Sequence, residues 1–344
     1  MLHSNFVPDF TRLRVAVVGD LIADHYVFAH PTRLSREAPV MVLRHRSEEL
    51  RAGGAANVAR NLWALGARTR VLGAVGRDSG GRELLRLLAE EQLDVEGIEP
   101  VTGWVTPTKT RVCAAEQNRT MQQVLRIDRE PELPLDEAFR AELARRVRAL
   151  AGEVDALLIS DYQYGLVDER LAEAARHVRA AGATVVLDPR QAVDSFHGLT
   201  ALTPNLSELA AMVGAPAEEL ETPAGLAAGA RHLLERTDPE LLLVTLGNRG
   251  MALFGRDVPE GGIRVAASGP QEGMDPTGAG DTAAAAFTLA LAAGLDGPRA
   301  MRLANAASGI VVMESGTAVC APSRLRSALA GSPKPRGLEQ AVMQ

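Results

Sequence analysis

Short apolar runs that lead into polar residues, separated by stretches of helical length, limit this chain to one class of fold. Val15 to Val18 leads into Gly19-Asp20, Ala156 to Ile159 into Ser160-Asp161, and Ala183 to Leu187 into Asp188-Pro189. Leu202 leads into Thr203-Pro204-Asn205 and Leu241 to Val244 into Thr245, while Val71 to Val75 is a further run of this kind. Between them stand helical stretches at Gly80 to Glu91, about Leu135 to Leu150, and Glu169 to Ala180. Strands covered on both faces read as continuous apolar runs, and strand–helix–strand crossovers line such strands up parallel. Their polar C-terminal ends then share one edge, where α/β proteins bind ligands. The expected fold is therefore α/β, a central mostly parallel sheet flanked by helices. It is expected to occupy residues 1–330 as a single domain, with 331–344, rich in Gly, Ser and Pro, as a flexible tail.

Composition narrows the function classes. A chain of 344 residues that is 46% hydrophobic and 23% charged can bury a large core. Its net charge of −6 argues against nucleic acid as a partner, which needs a basic face. The two cysteines, Cys113 and Cys320, stand apart from any His/Cys set with metal-ligand spacing and read as buried small hydrophobes. The apolar run at Arg14 to Gly19 is too short for a signal peptide, and that at Ala283 to Ala293 is too short for a membrane span. A cytoplasmic chain with no membrane partner is expected.

Two segments, about 32–47 and 104–128, depart from the helix period. In the second, Thr108 to Val112 alternates, Glu116 to Arg119 is turn-like, and Gln122 to Ile127 extends again. Together they read as a small β-sheet lid able to close over a substrate. The apolar face of such a lid is exposed unless a second copy covers it, so a homodimer through the lid is expected.

The most specific stretch is Asp275-Pro276-Thr277-Gly278-Ala279-Gly280-Asp281-Thr282, which runs into the apolar residues Ala283 to Leu291. Read physically it is a helix start whose glycines let a ligand approach the backbone and whose free N–H groups face an anion. Asp281 has two readings there: a carboxylate that caps the helix, or a base that takes a proton from a nucleophile attacking a phosphoryl group. Asn205 and Glu208, three apart, suit either a helix cap or a water-shelled Mg²⁺. Asp20 and Asp24 suit a polyol or a solvated turn. Gly53, Gly54 and Asn57 suit a ligand at a helix start or close helix-to-sheet packing. The small residues from Ala304 to Gly309 leave either a slot for a flat base or a tight helix contact. No G-x-x-x-x-G-K-[ST] loop and no G-x-G-x-x-G after the first strand is present.

This eight-residue turn resembles the signature of the ribokinase-like (PfkB) sugar kinases. Their D-T-x-G-A-G-D is met at Asp275, Gly278, Ala279, Gly280 and Asp281, with Pro276 in place of the usual Thr. The likeness extends from Val15 to about Pro322. It implies that Asp281 is the catalytic base and that the amides of Gly278, Ala279 and Gly280 form the hole for the transferred phosphoryl group. It implies sugar contacts from Asp20, Asp24, Gly53, Gly54, Asn57, Lys109, Arg111, Arg126 and Asp161. Asp188, Asn205, Thr245, Gly247, Gly250, Asp275 and Asn305 would face the nucleotide. ATP is the implied co-substrate, with Mg²⁺ held through water by Asn205 and Glu208, and a dependence on a monovalent cation is left open.

Within the family, Arg33-Leu34-Ser35 with Glu37 to Val40, Gly53 to Ala59, Thr108-Lys109 with Arg111-Val112, and Gln122-Gln123 with Arg126 and Asp128 resemble the kinases of D-glycero-D-manno-heptose 7-phosphate. Cations at Lys109, Arg111 and Arg126 suit a sugar that already carries a phosphate. The chain departs from that pattern at Tyr164 and Arg190, where lysines are usual, and at Arg36 and Met41, where prolines are common. A kinase for another sugar and a non-catalytic sugar or nucleotide sensor are the rival readings.

Overall fold

The computed structural model describes residues 7–115, 121–190, 193–269, 275–314 and 316–331. The turn expected at 116–119 and tail residues 332–344 lie outside the described residues. The chain opens with β1 (Arg14–Gly19), a hairpin of two 14-residue strands, β2 (Leu21–Leu34) and β3 (Met41–Gly54), and then α1 (Ala55–Ala64). Next come β4 (Arg68–Gly76), α2 (Ser79–Glu90), β5 (Asp94–Val101), β6 (Thr108–Ala114) and β7 (Gln122–Arg129). The middle of the chain alternates through α3 (Glu137–Arg148), β8 (Ala156–Ser160), α4 (Glu169–Ala180), β9 (Thr184–Asp188), β10 (Ala201–Leu202) and α5 (Leu206–Val213). It closes with α6 (Pro223–Thr237), β11 (Leu241–Thr245), β12 (Met251–Gly255), β13 (Ile263–Val265), α7 (Ala279–Ala292), α8 (Gly297–Val311) and α9 (Pro322–Gly331).

Nine strands form one sheet in the order β13-β12-β11-β10-β9-β8-β1-β4-β5, parallel from β11 to β5, with β12 antiparallel to both neighbours. Alternation along each strand divides the core. Val15, Val17 and Leu158 join α1, α7 and α8 on one face, while Ala16, Val18, Leu157 and Ile159 join α3, α4, α5 and α6 on the other. The polar strand ends consequently stand in a row: Gly19 pairs with Ser160, Ser160 with Asp188, and Asn205 bridges to Thr245.

The second sheet, β3-β2-β6-β7, is the expected lid, but it is larger than the segments read from sequence. Its strands begin at Leu21 and run to Gly54, so Asp24 lies inside a strand and Gly53 and Gly54 end one. The first residues of β2 are buried in the body and its last three are exposed, which masked the continuous strand in the sequence. Leu34, Val40, Met41, Val124, Leu125 and Ile127 are exposed on the lid. Both cysteines are buried and free, and among the described residues no helix is long and apolar enough to cross a membrane.

One buried amide ties α1 to α7. Asn61 donates to the Asn57 carbonyl at 3.1 Å and accepts from Thr282 Oγ1 at 3.1 Å and the Cys320 N–H at 3.2 Å. Asn61→Ala leaves those buried donors unpaired, so it should lower unfolding stability by about 2 kcal/mol in urea titration, well above the ~0.5 kcal/mol of an ordinary surface change.

Candidate active site

Helix α7 begins where the parallel strands end. Gly278 is its N-cap at φ +79°, a left-handed conformation suited to glycine, and no side chain caps the helix. Asp275 clamps the preceding turn by accepting from the Thr277 N–H at 2.9 Å and the Gly316 N–H at 2.7 Å. Helix geometry leaves the Gly280 N–H without an intrahelical acceptor, and a Cβ at Gly280 would meet open space.

Asp281 does not cap its own helix. Its Oδ1 accepts from Tyr162 Oη at 2.8 Å and its Oδ2 from Asn57 Nδ2 at 2.7 Å. Burial pushes its carboxyl up to about 7 against those two hydrogen bonds, and the charge of Asp188 adds to the rise. A carboxyl poised there can accept a proton near neutral pH.

Two cavities meet at this point. The first, of about 800 Å³, lies under the lid and is lined by Asp24, Gly54, Lys109, Arg111 and Arg126. The second, of about 560 Å³, lies over the strand ends and is lined by Asp188, Asn205, Glu208, Thr245, Gly247 and Gly250 from the sheet side. Ala279, Gly280, Asn305, Ser308 and Gly309 complete it from α7 and α8. Tyr162, Arg190, Gly278 and Asp281 line both.

In the lid cavity Arg111 faces Arg126 across β6 and β7, and Lys109 faces Asp128. Arg111 Nη1 bonds Asp24 Oδ1 at 2.5 Å in a buried pair. Burial raises the Asp24 carboxyl and Arg111 opposes the rise. Lys109 Nζ lies 3.1 Å from Tyr164 Oη and 3.6 Å from Asp128 Oδ2, and Arg126 pairs with Asp128 at 2.7 Å. Tyr164 Oη donates in turn to Glu130 at 2.9 Å. The three cations expected from the sequence therefore gather in one cavity, each beside a carboxylate that a phosphate would rival.

Several expected ligand contacts do other work. Asp20 is buried, lines neither cavity, and its Oδ2 accepts from the Tyr162 and Tyr164 N–H groups at 2.7 and 3.2 Å. Asp161 likewise accepts from the Gln163 N–H at 2.8 Å and the Arg190 N–H at 3.3 Å. These carboxylates hold the loops that present Tyr162 and Arg190. Asn57 and Gly53 also stand behind the cavity wall: Asn57 holds Asp281, and a Cβ at Gly53 would come within 2.6 Å of Asp24 Oδ2. Asp275 acts on the turn, not on either cavity.

In the nucleotide-side cavity Asn205 and Glu208 form a reciprocal capping box on α5, at 2.9 and 2.7 Å. Glu208 Oε1 accepts from Arg190 Nη1 at 2.6 Å, and Asp188 accepts from Thr203 Oγ1 at 2.8 Å. Burial and the Glu208 charge raise Asp188 to about 7. Among the described residues no group of three His, Cys, Asp or Glu could cage a metal. Two carboxylates facing this cavity, Asp188 and Glu208, fit a cation that keeps its waters, as Mg²⁺ does. The 304–309 stretch divides between its two readings: Ala304, Ala306 and Ala307 pack in the core while Asn305, Ser308 and Gly309 face the cavity. Tyr162 and Arg190, which line both cavities, are site residues that sequence reasoning did not assign, and their positions just after the strand ends Ser160-Asp161 and Asp188-Pro189 were the available signal.

A buried carboxyl at a glycine-rich helix start, between a cavity lined with cations and a cavity lined with small residues, is the layout of a phosphotransferase. Residues 12–324 match the pfkB family carbohydrate kinases. The chain belongs to that family. It is 42% identical over 96% of its length to Bifunctional protein HldE of Methylococcus capsulatus and 38% identical over 98% to that of Mesorhizobium japonicum. It spans about two thirds of those relatives, 67% and 66% of their lengths. Its fold is shared with phosphofructokinase-2 of Escherichia coli, at TM-score 0.73 and 20% identity over 92% of this chain and 98% of the other. It is also shared with ribokinase of Arabidopsis thaliana, solved with ribose and ATP, at TM-score 0.69 and 23% identity over 93% and 99%.

Proposed function

We propose that the chain transfers the γ-phosphoryl group of ATP to the C1 hydroxyl of D-glycero-D-manno-heptose 7-phosphate, giving the 1,7-bisphosphate. The observation that carries this reading is the position of Asp281, buried on the ground shared by the two cavities. The sugar lies under the lid with its hydroxyl against Asp281, and its existing phosphate takes Lys109, Arg111 or Arg126 from their carboxylate partners. ATP lies along Thr245, Gly247, Gly250, Asn305 and Ser308 with its phosphates at the start of α7. Tyr162 and Asn57 fix the Asp281 carboxylate while it accepts the hydroxyl proton, and the Gly280 N–H and its neighbours face the charge on the transferred group. Asp188 and Glu208, with Asn205, would hold Mg²⁺ through water; when bound, the ion offsets phosphate charge. A second copy would cover the exposed apolar residues of the lid, making a homodimer.

The direct test is phosphorus and proton NMR of the product, where a new phosphate signal coupled to the anomeric proton is expected; phosphate at any other carbon contradicts the assignment. Lys109→Met tests the phosphate end of the sugar. Losing one charge-assisted contact of about 1.5–3 kcal/mol should raise KM for the sugar phosphate roughly 10- to 100-fold while KM for ATP stays within about twofold. Equal KM values for the sugar in both proteins would remove Lys109 from its binding.

A further inference from the structure

We propose that Arg190 is a catalytic residue of the phosphoryl transfer, its guanidinium contacting the group as it passes from the nucleotide side to the sugar side. The inference rests on the kinase reading above and adds a residue to it. A phosphoryl group crossing between the cavities must pass the four residues common to both, and of Tyr162, Arg190, Gly278 and Asp281 only Arg190 carries positive charge. Gly278 contributes backbone and Asp281 a carboxylate, so without Arg190 no cationic side chain among the described residues lines both cavities.

The guanidinium is held from two sides. Nη1 donates to Glu208 Oε1 at 2.6 Å, and the planar group stacks on the Tyr162 ring, with Cζ 4.3 Å from the ring centroid. Glu208 is its one carboxylate partner in an ion pair among the described residues. Its backbone is fixed as well, because the Arg190 N–H donates to the buried Asp161. Tyr162 in turn bonds Asp281, so the ring that supports the cation also orients the proton acceptor. A planar cation fixed by stacking and one ion pair still presents the rest of its donor fork, and that fork matches the geometry of phosphate oxygens.

The transfer balances without a further reactant. The bond between the γ-phosphorus and the oxygen bridging it to the β-phosphate breaks, the sugar hydroxyl oxygen forms the new bond to phosphorus, and the hydroxyl proton passes to Asp281. ADP and the sugar phosphate leave. Negative charge builds on the transferred oxygens and the bridging oxygen during the step, and a preorganised cation stabilises it most at that moment.

The test compares wild type, Arg190→Met and Arg190→Lys with Mg-ATP and D-glycero-D-manno-heptose 7-phosphate. Arg190→Met should lose about 10³-fold in kcat, within the range for arginines that contact a transferred phosphoryl group. KM for ATP should stay within about threefold. Arg190→Lys, which can keep the Glu208 pair, should recover part of the rate. Calorimetry supplies a readout that a merely structural role would not move: with the sugar present, aluminium fluoride should tighten MgADP binding in wild type and fail to do so in Arg190→Met. If Arg190→Met keeps its kcat, raises only KM, or keeps the aluminium fluoride gain, the role is overturned. If wild type itself releases no ADP with any sugar, the kinase reading falls and this inference falls with it.

Discussion

Asp281→Asn should fold, bind ATP and sugar, and lose about 10²–10⁴-fold in kcat, the usual worth of a positioned general base. An amide of the same shape can still accept from Tyr162 Oη, its NH2 then faces Asn57, which must turn its own amide over to accept, and the site loses its proton acceptor. The pH dependence carries a second signature. Because burial holds the Asp281 carboxyl at about 7, wild-type turnover should rise with pH up to neutrality as the base ionises, and the variant should lack that limb. Asp188, also raised to about 7, adds its charge to Asp281, so the limb reports an apparent value of that pair. Stability moves the opposite way. A carboxyl raised from 3.8 in the unfolded chain to about 7 in the folded one binds its proton more tightly when folded, so stability falls as pH rises between those values. Asp281→Asn removes one such group. It should melt above wild type at pH 8, with the difference closing towards pH 4, in scanning calorimetry across pH.

Gly278→Ala is the other large effect. A Cβ there would come within 2.7 Å of Asn57 Nδ2, and the residue sits at φ +79°. The left-handed backbone alone costs a non-glycine residue about 1–2 kcal/mol. The larger consequence is for the chemistry: Asn57 must retreat from Asp281 Oδ2, which it now holds at 2.7 Å. Misplacing a reacting group by around an ångström can cost about 10²-fold, so kcat should fall by that order while α7 stays helical. Steady-state kinetics beside circular dichroism separates the two effects. Gly280→Ala is the contrast, since a Cβ at Gly280 meets nothing within 4 Å of protein; any loss there comes from crowding the ligand.

The strand ends were legible because short apolar runs stop abruptly at Asp20, Ser160-Asp161, Asp188 and Thr203 to Asn205, and parallel order then places them in a row. The glycine turn at 275–282 was legible because few physical purposes need two glycines and a carboxylate at a helix start. Which way a carboxylate turns was not. Asp20 and Asp161 sit at the expected edge, yet Asp161 bends back to the Gln163 N–H of its own following loop and Asp20 turns to the Tyr162 and Tyr164 N–H groups of that same loop, which it meets only in the fold. Asp24 reads as a turn residue after β1 and is instead inside β2, because Asp24 and His25 interrupt the alternation of a long strand that leaves the body for the lid. The edge strand β5 was hidden by Gly97 and Pro100; among the described residues it pairs with β4 alone, and a Cβ at Gly97 would collide with the Val71 carbonyl at 2.1 Å. Helix α6 escaped for want of a strong apolar stripe. Tyr162 is marked in the sequence only by its place directly after the strand end Ser160-Asp161, and only the folded loop brings its hydroxyl to Asp281.

One phosphoryl group is expected to move from ATP into the lid cavity. ADP release from Mg-ATP with D-glycero-D-manno-heptose 7-phosphate, beside ribose, fructose and fructose 6-phosphate, tests it most directly. Turnover with the heptose phosphate and little with the others is expected. Turnover only with another sugar would contradict the substrate, and ADP release that no sugar stimulates would contradict the kinase itself.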